Sequence, residues 1–411
     1  MAVPLRAVAE VTLGRMRSPG TEHGPRQVPY LRAANVGDGE LKLDDVKTMH
    51  FEPAEERRYG LALGDVLVTE ASGSRSSVGQ TALWTGEVEQ VMFQNTLLRL
   101  RPRPGTDPRF LYWWSRHAHG SGLYARAAQG LAIWHLSAER LRAATFPELS
   151  PAEQNSIARF LDEQVPILDH IISKRSHQIS LINEGALSQL SHLLTPSDGD
   201  CDALPTPRLG YICRLQSGVT LDEKRGGDHE YPYLRVANVQ DGFLDLSEVK
   251  TVRLDAKLAM RSLLHAGDVL MTEGGDLDKL GRGTVWAGQL DGCVHQNHIF
   301  ALRPRPELLL PEYLAAMTRT HYARGYFEST GTRSTNLAST NSSKIMSFRL
   351  PLPSTVRQRE ILGVLSAIET QRRQAVSLAH RQTNLVRERK QAIITGAVTG
   401  QFDVTTARSV S

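Results

Sequence analysis

The sequence predicts an α+β chain made of two tandem β-rich domains, each followed by a helical region, and three observations predict it. The first is a repeat. PYLRAANVGDGELKLDDVKT, Pro29 to Thr48, returns as PYLRVANVQDGFLDLSEVKT, Pro232 to Thr251, with fourteen of twenty positions identical. The echo continues through Gly64-Asp65-Val66-Leu67 with Thr69-Glu70, matched by Gly267-Asp268-Val269-Leu270 with Thr272-Glu273, and through Gln94-Asn95, matched by Gln296-Asn297. A period of about 200 residues is far too long for a solenoid repeat, so each copy must fold for itself. The second observation is a series of short β-prone runs punctuated by Gly and Asp, the texture of an irregular β module rather than of alternating βαβ units. The third is a helix-start signal after each copy, followed by apolar residues at three-and-four spacing.

In order along the chain, residues 1–149 form the first domain. Leu5 to Leu13 reads as a short amphipathic segment and Gly14 to Pro29 as a loop. Tyr30–Val36, Asp65–Thr69, Gln80–Trp84 and Val91–Leu100 read as strands, and Phe110–His117 and Ser137–Ala144 as helices. Residues 150–195 form the central helical region, where Ser150-Pro151-Ala152-Glu153 is a capping box with Pro at the first helical position. Pro166 predicts a break near Gln164 and a new helix, about 43 Å long to Leu194 at ~1.5 Å per residue. Its seam is Leu168, Ile171/Ile172, Ile179, Ile182, Ala186, Leu190 and Leu193, interrupted by Arg175 and Gln189. Residues 196–203 are a breaker-rich linker, 204–353 the second domain, 354–400 a C-terminal helical region and 401–411 a tail. In that last region Thr355 to Gln358 fits a capping box and Thr370 is placed to cap a second helix ending near Gly396–Gly400. Its seam is Ala375, Leu378/Ala379, Leu385/Val386 and Ala392/Ile393, interrupted by Gln382 and Arg389. Seams complementary in length predict that the long helices pair as an antiparallel coiled coil, giving the chain an internal pseudo-twofold symmetry.

The charge balance, 48 Lys+Arg against 44 Asp+Glu in 411 residues with a pI near 9.0, is compatible with a nucleic-acid partner without demanding one. Acidic and basic residues are mixed through both copies, so a DNA contact must come from local clusters. Cys201, Cys213 and Cys293 are odd in number and too far apart for a CxxC pair, which reads as reduced thiols in a cytoplasmic protein. The first residues, with Pro4, Arg6 and Glu10, do not make a signal peptide, and no run approaches the ~18 apolar residues of a membrane helix.

Catalytic motifs fail. The sequence has no GxxxxGK[ST] for a nucleotide-driven motor, no GxGxxG opening a helix, and no Asn/Asp-Pro-Pro-aromatic tetrapeptide of the kind that holds an amino group for methylation. Asp45-Val46-Lys47 and Glu248-Val249-Lys250 resemble the acidic-x-Lys half of a nuclease site; a charged strand end is the blander reading. His117 and His119 could ligate a metal, but no further ligands stand at a metal-site spacing, which favours a solvated helix end. A structural coiled-coil protein with no DNA role is the third alternative.

What rises above background is a pair of loops. After GDVL-x-TE the first copy carries Ser72, Ser74, Arg75, Ser76 and Ser77; the second carries Lys279 and Arg282 beside Asp276 and Asp278. A matched scaffold with unmatched loops is what two modules reading different ligands require. Ser and Arg donate to phosphates and base edges, and Arg bridges guanine bidentately. Should these loops not carry specificity, Ser115–His135, with Arg126, and Thr318–Asn336, with Arg333, are next in line. Pro29/Pro232, Asn35/Asn238 and Gln94/Gln296 agree between copies and read as scaffold.

The order of these elements resembles the specificity subunit of type I restriction-modification systems. The resemblance rests on PYLRxANV and GDVLxTE in each copy, on Gln154-x-x-Ile157-x-x-x-Leu161 and Gln358-x-x-Ile361-x-x-x-Leu365 after them, and on the closing stretch Glu388 to Gly400. One departure is Ser366 where the first copy has Asp162. The resemblance implies two target-recognition domains on double-stranded DNA, each reading half of a split asymmetric site. It implies two methyltransferase subunits docked on the helical regions through Gln154, Ile157, Leu161, Gln358, Ile361 and Leu365, and motor-nuclease subunits added for restriction. S-adenosylmethionine, ATP and Mg2+ would then sit on those partners, with no cofactor and no catalysis in this chain. The same resemblance covers a subunit of a methylation-only or phage-exclusion system; a single-chain nuclease remains the alternative from another class.

Overall fold

A computed structural model describes residues 2–17, 24–195, 204–220, 227–275, 280–333 and 338–404; the side chains of Gly275 and Arg333 are outside the description. The sequence-predicted linker, with Cys201, and most of the tail fall outside it. The chain divides into two compact units, Met1–Ser176 with His380–Ser411, and His177–Ala379.

In the first unit a four-stranded antiparallel sheet runs in the order Ala9–Leu13, Leu97–Pro102, Val66–Thr69, Thr81–Leu83. A three-stranded sheet places Gln27–Leu31 between Lys47–His50, antiparallel, and Met92–Phe93, parallel. The period-two alternation of Val66-Leu67-Val68 sorts its side chains: Val66 and Val68 join the core under helix Pro108–Gly120, and Leu67 joins Leu31, Trp84, Phe93 and Leu97 on the opposite face. The second unit repeats the plan with Cys213–Ser217, Ile299–Pro304, Val269–Thr272 and Gly283–Val285 in one sheet and Lys250–Leu254, His229–Leu234 and Val294–His295 in the other. The sequence reading ran the Tyr30 strand too far; it ends at Leu31 and gives way to a 3-10 turn, Ala33–Asn35.

The repeated residues are structural. Asp65, 1% exposed, accepts both arms of Arg101 at 2.8 and 2.7 Å; Asp268 accepts Arg303 at 2.7 and 2.7 Å. Asn35 donates to the carbonyls of Lys42 and Asp45, and Asn238 to those of Asp245 and Glu248, so each amide closes the same loop.

The helices correct the sequence reading in three ways. Pro166 does not break the chain: one helix runs Pro151–Leu194. A mid-helix Pro costs about 3 kcal/mol or more, and here Leu161, Val165 and Leu168 are buried around it, so leaving the helix would forfeit that packing. Nor does Thr370 start a helix; Thr355–Thr399 is continuous, and the Thr370 hydroxyl donates instead to the Ser366 carbonyl one turn back. The C-terminal seam is shifted as well. Ala375, Leu378, Leu385 and Ala392 are exposed, whereas Ala379, Thr383, Ile394, Ala397 and Val398 are buried. The second member of each paired position turns inward, and Arg389, on the exposed side, interrupts nothing. The Ser150–Glu153 capping box forms as read, while at the other start Ser354 caps and Gln358 turns elsewhere.

Each unit is closed by a helical pair. In the first, Ile157, Leu161 and Val165 share a core with Ile394, Ala397 and Val398, and Lys390 meets Asp169 at 2.7 Å. In the second, Leu190 and Leu194 share a core with Ile361 and Leu365, and Arg372 donates to Asn183 at 2.6 Å. Within each unit rising numbers on one helix meet falling numbers on the other, so the pairing is antiparallel. Among the described residues no helix is long and apolar enough to cross a membrane.

Candidate nucleic-acid interface

One residue gathers the interface of the first unit. The Thr96 carbonyl accepts the Glu70 N–H at 2.9 Å and its hydroxyl accepts the Ala33 N–H at 3.0 Å, which brings the loop after Glu70 beside the turn carrying Arg32. That loop does not stand alone. Ala71–Ser72 pairs antiparallel with Trp134–His135, the Leu136 N–H donates to the Glu70 carbonyl, and His135 meets the Glu70 carboxylate at 3.1 Å. The two segments that the sequence offered as alternatives are therefore one surface.

Ser72, Ser74, Arg75, Ser76 and Ser77 are half-buried to exposed. Ser74 and Ser76 share a hydroxyl hydrogen bond at 2.8 Å, and Ser72 accepts the Ser74 N–H, so the serines set the turn. Arg75 donates through Nε to the Ala125 carbonyl at 3.0 Å, and its guanidinium lies 4.9 Å from the Trp134 ring centre. It is exposed yet held, the state in which an Arg loses least entropy on binding. Arg126, also exposed, donates to the Ser121 carbonyl at 3.0 Å.

In the second unit Gly274–Gly275 pairs with Ala338–Ser339, which pairs with Thr332–Arg333, and the Thr340 N–H donates to the Glu273 carbonyl as Leu136 does to Glu70. Lys279 and the Arg333 side chain lie outside the described residues. Arg282 is half-buried beside the strand Gly283–Val285, where its carbonyl accepts the Thr272 N–H; it stands in the sheet ladder rather than at a loop tip.

The six helical residues assigned to partner docking are corrected by burial. Gln154, Ile157, Leu161, Gln358, Ile361 and Leu365 are each no more than 8% exposed. Gln154 accepts the Asp107 N–H and donates to the Leu149 carbonyl; Gln358 accepts the Leu310 N–H and donates to the carbonyls of Leu308 and Pro353, all at 2.8 to 2.9 Å. The motif fastens each domain to its own helix. His117 is likewise no solvated end: it bonds to Thr395 at 3.1 Å, and burial holds its pKa below the ordinary value. His119 bonds to the Ser76 carbonyl at 3.0 Å, at the back of the serine loop.

Two features escaped the sequence reading. Gln129 and His135 exchange backbone hydrogen bonds and close a tight loop from which Leu131 projects fully exposed and Ile133 54% exposed. Gly130 is required there, because a Cβ would collide with the Ile133 carbonyl. A run of Gly-Leu-Ala-Ile-Trp between polar residues was the available signal. The second feature is a concave face lined by Arg17, Arg32, Lys47, Tyr30, Gln27 and Gln94. Asp45 serves both Lys47, at 2.8 Å, and Arg32, and the Lys47 hydrogen bond and then the two cations hold its carboxyl below the usual range. One carboxylate for two cations leaves positive charge. In the second unit Arg235 pairs with Glu248 at 3.2 Å. The acidic residue of each acidic-x-Lys triplet is thus engaged by an Arg, and among the described residues no group of three His, Cys, Asp or Glu could hold a metal ion.

Together these features define a chain of two loop-bearing β modules, each fastened to an antiparallel helical pair. The comparisons agree with that class. The fold matches a chain from a study of complex assembly and conformational transition of the type I R-M system, with a TM-score of 0.70 over 98% of both chains at 16% identity. A stretch of 137 residues is 23% identical to the putative type I restriction enzyme MjaX specificity subunit of Methanocaldococcus jannaschii, covering 33% of this chain and 32% of that relative. The HsdS subunit from Thermoanaerobacter tengcongensis aligns over 98% of this chain and 97% of its own at 17% identity and a TM-score of 0.47. No protein-family model matches the chain. In sequence and in fold, the chain resembles type I restriction-modification specificity subunits.

Proposed function

We propose that this chain is the DNA-recognition subunit of a type I restriction-modification assembly, in which each unit reads one part of a split asymmetric site. The observation that carries the reading is the contrast within each module: forks and amides repeated to within 0.1 Å support loop pairs that share no sequence. The exposed, pre-held Arg75 and the neighbouring Ser cluster supply base-edge and phosphate donors, and Arg32 and Lys47 with their counterparts Arg235 and Lys250 supply sequence-independent phosphate contacts. Leu131 and Ile133 add the apolar contact that thymine methyls or an opened base step accept. Two methyltransferase subunits, with S-adenosylmethionine, and motor-nuclease subunits, with ATP and Mg2+, complete the assembly. With the six motif residues buried, exposed positions of the helices are left for those partners.

The test is an exchange of residues 71–79 and 129–135 for residues 274–281 and 333–339, followed by genome-wide mapping of methylated adenines in cells carrying the partner subunits. A change confined to one half of the recognised site is expected. An unchanged site would place specificity elsewhere in the modules, and methyl transfer by the purified chain alone would overturn the subunit reading.

A further inference from the structure

The two units differ at one buried place. In the first, Trp113, 4% exposed, lies between its helix and the central helix: its indole Nε1 donates to Asp162 at 2.8 Å, and the Arg116 guanidinium, ion-paired to Asp38 at 3.3 Å, lies 5.6 Å from the ring centre. In the second unit the same arginine is present, Arg319, ion-paired to Asp241 at 3.5 Å, and Gly242 backs it as Gly39 backs Arg116. The ring is not. Ala316 stands for Trp113, Ala315 for Tyr112 and Ser366 for Asp162.

A cleft of about 700 Å³ occupies the vacated position, floored by Ala316, Leu187, Leu190 and Leu365. That volume is within the range of ~300–1,000 Å³ typical of ligand pockets and exceeds one indole, so it has room for a side chain and its flanking backbone. The Arg319 Nε is buried without a hydrogen-bond partner. Charge then selects the occupant. Asp241 serves Arg319 and Arg324, and Glu369 serves Arg372 and Arg373, so these groups are internally matched. Glu184 and Glu312, both exposed on the cleft wall, have no ion pair among the described residues. Two free carboxylates repel a nucleotide's phosphates and attract a cation.

We propose that this cleft is a socket for an aromatic side chain flanked by basic residues, carried by another protein chain. The aromatic ring takes the place Trp113 holds in the first unit and covers the face of Arg319, while Glu184 and Glu312 meet the flanking cations. Because the first unit fills its own position, one such segment binds per chain. This inference does not rest on the DNA reading, and DNA binding serves as the folding control in its test.

The experiment uses the full chain and the peptide acetyl-Lys-Trp-Lys-amide, with 5-fluorotryptophan followed by 19F NMR, against acetyl-Lys-Ala-Lys-amide and AMP. Saturable binding of the Trp peptide is expected, weakened about tenfold or more in Ala316→Trp, where the socket carries its own plug. Glu184→Gln with Glu312→Gln, surface changes that leave the core intact, should weaken the peptide and strengthen AMP. No saturable binding by the wild type, equal binding by the Ala peptide, tighter binding of AMP, or undiminished binding to a folded Ala316→Trp would each overturn the proposal.

Discussion

The two units are an experiment in what a duplicated domain keeps and what it lets go. Both retain the Asp–Arg fork, the Asn-closed loop and the Gln that fastens the domain to its helix, with the same partners. They part at Trp113 against Ala316, at Phe93 against His295, and in the loops after Glu70 and Glu273. The retained groups satisfy buried polar atoms, where removal of one partner strands the other. The divergent ones fill volume or face solvent, where a substitution is tolerated or selected for a new contact. Duplication thus separates the frame from what the frame displays.

The sharpest break in the comparison is Trp113→Ala, which would give the first unit a cleft like that of the second. It should cost about 3–5 kcal/mol, read as a lowered denaturation midpoint. A loss below about 1 kcal/mol would mean that Trp113 is not what closes that space.

The second contrast is set by pH. His295 is fully buried where the first unit has Phe93, and desolvation lowers its pKa from 6.5 to about 4, against the smaller raising effects of the Gln296 and Ile299 carbonyls and of Asp268. The folded state therefore holds neutral imidazole. Its contribution is complete above the unfolded pKa and is lost as pH falls from 6.5 towards 4, by up to about 3 kcal/mol. The second unit should be the acid-labile one, and His295→Phe should abolish the difference in pH-dependent unfolding.

Gln154→Ala and Gln358→Ala should each cost about 1–3 kcal/mol and by similar amounts, since the two amides hold equivalent atoms; a large disparity in urea midpoints would show that the fastening is not duplicated. On the binding side, Arg75→Ala should relax one half-site by about 1–3 kcal/mol if it reads a base, or lower the salt slope by about one without changing specificity if it touches phosphate only. The smallest effect, about 1 kcal/mol of affinity, is expected of Leu131→Ser with Ile133→Ser, at an unchanged salt slope. A change in that slope would mean that the pair acts by positioning Arg75.

Much of this frame was legible beforehand, because repetition works as an alignment written into one chain. Positions kept across copies, such as Asp65/Asp268 and Asn35/Asn238, announced themselves, and period-two and period-3.6 patterns placed most strands and helices. Local rules misled where tertiary packing overruled them: Pro166 and Thr370 carry strong boundary signals, yet burial on both sides carries the helix through. The seam was misread because Leu378 and Leu385 are more apolar than the inward Ala379 and Thr383, and a helix that packs closely selects small residues. The docking motif was misread for a related reason. Its regularity pointed to a partner, and the partner is the domain beside it. In the interface, the serine loop was visible by its divergence, whereas Leu131 and Ile133 look like core residues until the backbone bridge from Gln129 to His135 turns them outward.

The first unit is assembled from both ends of the described chain, with residues 380–404 completing a core begun by residues 2–176, whereas the second is one continuous stretch. Synthesis therefore releases the pieces out of order. The second unit has all its residues once position 379 has emerged, while Ile157, Leu161 and Val165 wait for Ile394, Ala397 and Val398. Contacts that span more than 220 residues are slow to form. During that wait the central helix presents an unfinished apolar stripe, the surface on which a chaperone, or a partner subunit arriving early, would act.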